Sequence, residues 1–66
     1  MTVTVNNQEI RIFNGATAKH AILRYLLRNK LDVKKVDNLV IKDKYGHQID
    51  GDAPLSNGQT ITFKTA

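Results

Sequence analysis

Histidine, aspartate and arginine are the residues of this chain with chemistry to offer. His20 and His47 are its two imidazoles. A histidine works as a general base or metal ligand only beside a nucleophile, an orienting carboxylate or further ligands. No serine or cysteine motif surrounds either one, and the chain has no cysteine at all. That composition excludes thiolate zinc sites, cysteine-held iron–sulfur clusters, disulfides and cysteine nucleophiles. Asp43, Asp50 and Asp52 lie close enough in sequence to suggest a calcium loop. EF-hand ligands, however, recur every two residues and close on a glutamate, so these aspartates read as turn residues. The sequence assigns no catalytic residue, no metal site and no cofactor, and the chain is expected not to be an enzyme.

The arginines and lysines carry a different signal. Ten basic residues against six acidic ones leave a formal charge of +4 on 66 residues. Such an excess favours anionic partners: nucleic acid, phosphates or an acidic protein surface. His20, Arg24 and Arg28 recur every four residues, which aligns them on one ridge of a helix. Lys19 and Lys30 stand at its margin, and Lys34 and Lys35 could widen it into a patch. The ridge is the candidate anion- or partner-binding site, and protonation of His20 would strengthen it. The plain alternative is a solvated helix face whose arginines avoid the core. The aromatic residues, Phe13, Tyr25, Tyr45 and Phe63, are too few to interleave with the basic ones as a single-strand stacking platform. Tyr25, beside the apolar stripe of the same helix, is either a core-border residue or an interface anchor.

These residues must be positioned by a small set of elements. Thr2-Val3-Thr4-Val5 and Glu9 to Phe13 alternate polar and apolar with the period of half-buried strands. Asn6-Asn7-Gln8 between them predicts a hairpin, because asparagine tolerates positive φ. Thr17 is a helix N-cap, and a helix is predicted from Ala18 to about Leu31, with Ile22, Leu23, Leu26 and Leu27 as its apolar stripe and Ala18, Ala21 and Tyr25 flanking it. Leu31 to Asp37 is a charged connection. Leu39-Val40-Ile41 predicts a third strand, His47-Gln48-Ile49 a brief fourth, and Gln59 to Lys64 a last. Turns fall at Asp43–Gly46 and Asn57-Gly58, and Asp50–Pro54 is a loop. The inward phase of each segment predicts a core of Val3, Val5, Ile10, Ile12, Ile22, Leu26, Leu39, Ile41, Leu55, Ile61 and Phe63. The expected fold is α+β: one domain over 1–66, with a mixed sheet of four to five strands packed on one helix.

Two segments resemble a known superfamily. Pro54-Leu55-Ser56-Asn57-Gly58-Gln59-Thr60-Ile61 is similar to the proline-leucine-x-x-glycine-x-x-aliphatic segment before the last strand of many β-grasp (ubiquitin-like) domains. Asn14-Gly15-Ala16-Thr17 resembles the glycine-x-threonine turn that precedes their helix. The layout is similar to that of the thiamine and molybdopterin sulfur carriers, to TGS domains, and to the small iron–sulfur domains of molybdenum hydroxylases. The chain lacks the terminal Gly-Gly that sulfur carriers adenylate, since Ala66 follows Thr65, and it lacks the cluster cysteines. Fold alone does not assign function.

The resemblance implies a non-enzymatic interaction or scaffold module that binds another protein through its sheet face or a sheet edge. The other readings are a sulfur-carrier-like protein without its terminal glycines, and a TGS-like accessory domain that binds RNA or nucleotide anions weakly. With no apolar run approaching the ~20 residues of a membrane span, no membrane role is expected. The lack of cysteine fits a reducing cytoplasm.

Overall fold

The computed structural model describes residues 1–31 and 39–65. Its elements follow the order β1 (Thr2–Val5), β2 (Gln8–Arg11), α1 (Ala18–Arg28), β3 (Leu39–Asp43), β4 (Gln48–Ile49) and β5 (Thr60–Thr65). The strands form one mixed sheet in the order β2-β1-β5-β3-β4. β1 and β5 run parallel at its centre, and the other pairs are antiparallel. The helix packs on one face of this sheet. The result is the α+β architecture expected of a β-grasp domain.

The opening hairpin forms for the reason its sequence implies. Val5 pairs with Gln8, which leaves a two-residue loop. Both loop residues take positive φ, Asn6 at 49° and Asn7 at 67°, the conformation whose twist matches the flanking strands. β2 ends at Arg11, yet Ile12 still points inward and is buried.

The helix is held at both ends by the chain. At its start, Ala18 N–H donates to the Ala53 carbonyl at 3.0 Å and Lys19 N–H to that of Gly51 at 2.8 Å. Leu55 N–H donates to the Ala16 carbonyl, and Thr17 bridges Pro54. The two stretches that carry the family resemblance therefore meet in space as one hydrogen-bonded junction. At its end, Leu31 N–H reaches the Leu26 carbonyl and Lys30 N–H that of Leu27. This is a Schellman closure with Lys30 in the left-handed position, φ 56°, where glycine usually stands. The helix thus stops at Arg28 rather than near Leu31. No glycine marks the reversal.

The core contains Val3, Val5, Ile10, Ile12, Ile22, Leu26, Ile41, Leu55 and Ile61 as expected, with Leu39 and Phe63 partly buried against it. Ala16, Ala18 and Ala21 are fully buried beside them. The helix is rolled about its axis by roughly a quarter turn from the stripe its large residues suggest, at 100° per residue. The inward face is Ala18, Ala21, Ile22 and Leu26, with Tyr25 edge-on to Phe63 at 5.4 Å. Leu27, expected in the stripe, is 64% exposed. The predicted connection from Leu31 to Asp37 lies, past Leu31, outside the described residues, as do Lys34, Lys35 and Ala66.

Candidate partner-binding surface

The outer face of the sheet is set by strand alternation. It carries Thr2 and Thr4 from β1, Glu9 and Arg11 from β2, Thr60, Thr62 and Lys64 from β5, and Val40 and Lys42 from β3. Val40 is the one aliphatic residue of this set. A partner would find little apolar surface here.

The sheet edges are guarded as well. Thr2, Thr4 and Asn6 direct their main-chain groups toward β5, so Val3 and Val5 pair with Ile10 and Gln8. Glu9 and Arg11 then turn their N–H and C=O groups to the open side. The Arg28 guanidinium crosses from the helix and donates to the Glu9 carbonyl at 3.2 Å, and Asn29 donates to the Gln8 side chain. The opposite edge, β4, is two residues long. Short strands and covered carbonyls are the usual defences against an incoming strand.

His20, Arg24, Arg28, Lys19 and Lys30 are all exposed, the first three at successive turns of α1. The structure nevertheless gives them separate tasks. His20 sits at the third helical position, where its Nδ1 accepts Thr17 N–H at 3.1 Å. It fills the place that glutamate or glutamine takes in a capping box, and its ring tilts against Phe13 at 5.2 Å. An imidazolium has no acceptor nitrogen, so protonation of His20 would add charge to the ridge at the expense of this cap. Arg28 serves the β2 edge. Lys19 lies on the flank beside Gly51, and Lys30 closes the helix. Arg24 alone of the aligned three has no hydrogen bond or ion pair among the described residues.

Arg24 instead joins residues that its sequence spacing does not predict. With Met1, Thr2, Arg11, Ile12 and Phe13 it lines an open groove of about 510 Å³. The groove lies at the end of β2, where Thr2 and Arg11 of the outer sheet face and Arg24 of the helix line one concavity. Its walls carry two guanidinium groups and the 55%-exposed ring of Phe13, and no carboxylate. Arg11, like Arg24, has no partner among the described residues. Leu27 in the last helical turn and Leu31 just past the cap, 50% exposed, are further exposed apolar side chains, at the C-terminal end of the helix. A sequence signal existed for this grouping: from Ile10 to Leu31 there is no aspartate or glutamate, while five of the ten lysines and arginines fall there.

No protein-family model matches the chain, and no curated protein is significantly similar to it.

A second concavity, about 310 Å³, lies between the β3–β4 turn and residues Ser56 to Thr60. Asp43 is committed within it: Oδ1 accepts the N–H groups of Tyr45 at 2.9 Å and His47 at 3.0 Å. That is the turn role expected for this aspartate. Among the described residues, no three histidine, aspartate or glutamate side chains gather as a metal site, and no helix is long and apolar enough to cross a membrane.

Proposed function

We propose that this domain is a non-enzymatic protein-interaction module that docks through its helix and the adjoining end of β2, rather than across the outer sheet face or by pairing with an edge strand. One observation carries the reading: Phe13, Leu27 and Leu31, three of the four exposed large hydrophobics, lie on that side. Exposed apolar anchors ringed by arginine are the composition of a binding hot spot. The polar outer sheet and the Arg28 contact to the Glu9 carbonyl on the β2 edge favour this reading over docking through the sheet face or an edge. A TGS-like role with RNA is the second reading, supported by the paired arginines and Phe13 of the groove.

The test is site-specific photo-crosslinking in the native host, with the probe at Leu27 or at Thr62 on the opposite face. The expected result is one dominant protein adduct at Leu27 and none at Thr62. Adducts only at Thr62, or RNA adducts at Leu27, would overturn it.

A further inference from the structure

The partner's chemistry can be taken further, resting on the protein-interaction reading above. A guanidinium pairs with a carboxylate through two parallel hydrogen bonds and is weakly hydrated, so it suits a contact that excludes water. Arg11 and Arg24 present two such groups at one groove, free of intramolecular partners among the described residues. The nearest carboxylate in sequence, Glu9, forms no ion pair with either. Phe13 lines the same groove, and Leu27, one helical turn beyond Arg24, and Leu31, just past the helix end, expose aliphatic surface.

We infer that the occupant of this side is a segment of a partner protein whose carboxylates enter the Arg11–Arg24 groove while its apolar side chains cover Leu27 and Leu31. Charge complementarity decides the sign of the segment, since no carboxylate lines the groove. The leucines decide its class. Phosphate contacts would use the arginines but leave the leucines in water, and single-strand binding draws on several aromatic platforms, whereas the groove has Phe13 alone. An acidic amphipathic helix uses both kinds of surface at once, its apolar residues at helical spacing and its glutamates toward the groove.

The experiment is an amide chemical-shift titration of the full chain with a short synthetic peptide carrying leucines at helical spacing and glutamates elsewhere. The same peptide with glutamine in place of glutamate, a short RNA and phosphatidylglycerol vesicles serve as parallel probes. The acidic peptide should shift residues around Arg11, Phe13, Arg24 and Leu27. The double change Arg11→Glu, Arg24→Glu should weaken it by roughly tenfold or more, the scale of losing one or more charge-assisted contacts. Lys42→Glu, Lys64→Glu makes the same change in net charge outside the groove, on β3 and β5, and should leave affinity within about twofold. Arg24→Gln, which removes charge without reversing it, should fall between them. Equal losses in both double variants would reduce the effect to net charge and overturn the inference, as would tighter binding of RNA or vesicles at the same residues. Equal binding of the glutamine peptide would sink the acidic assignment yet keep helix-side docking; binding by neither peptide would count against both.

Discussion

The side-chain amide of Asn6 pairs with both main-chain polar groups of Phe63: its Oδ1 accepts the Phe63 N–H at 2.9 Å, and its Nδ2 donates to the Phe63 carbonyl at 3.4 Å. The main-chain ladder of β1 against β5 ends just before this point, with Asn6 N–H on the Ile61 carbonyl. The chain then turns into the hairpin, and the amide extends the ladder by one step. Asn6 therefore answers two demands, positive φ and a planar donor–acceptor pair.

Asn6→Ala should cost about 2 kcal/mol, combining lost hydrogen bonds at a part-buried site with the strain of alanine at positive φ. Asn6→Gly accepts the backbone conformation and should cost less, about 1 kcal/mol. Urea denaturation followed by circular dichroism measures both. Equal stabilities for alanine and glycine would show that backbone strain plays no part.

Leu26 and Leu27 are adjacent and chemically identical, yet one is 5% and the other 64% exposed. Leu26→Ala should destabilise by roughly 2–5 kcal/mol, a large share of what a small domain possesses. Leu27→Ala should stay within about 0.5 kcal/mol. The same unfolding measurement decides, and a large loss at Leu27 would contradict the observed roll of the helix.

His20→Ala removes the acceptor for Thr17 N–H and should cost about 0.5–1 kcal/mol. His20→Gln keeps an acceptor at the capping-box position and should recover most of it. Amide hydrogen exchange at Thr17 would localise the effect, with faster exchange in the alanine variant and near-native exchange in the glutamine one.

Lys30 occupies a left-handed position without glycine's freedom. Lys30→Gly should raise stability by about 0.5–1 kcal/mol, because the side chain's steric cost in that region disappears. A thermal melt showing a lower midpoint would mean that the lysine side chain contributes contacts outweighing its strain.

Much of this architecture was legible because it is local. The Asn6-Asn7 turn announces its positive φ by residue type, and the Thr17 cap by its place before a run without glycine or proline. The alternation in β1, β2 and β5 names the inward residues, since neighbouring side chains in a strand must point to opposite faces. The Lys30 reversal was not legible. Its motif is defined by backbone hydrogen bonds, and the residue that usually advertises it is missing.

By itself, the sequence determined the hairpin, the helix start, the inward phase of the strands and the absence of cysteine chemistry, all consequences of residue type or short-range periodicity. Only the tertiary structure decided which side of the helix meets the sheet. Leucine spacing favoured Leu23 and Leu27. The junction of residues 16–18 with 51–55 instead pins the helix start, and the small side chains of Ala18 and Ala21 let that face approach the sheet closely. This roll leaves Leu27 in solvent, and the fold brings Arg24 to Arg11 while Arg28 reaches the edge of β2. Helical spacing can align three cations on one ridge, but it cannot tell which of them the rest of the chain will use, because those partners lie far away in sequence.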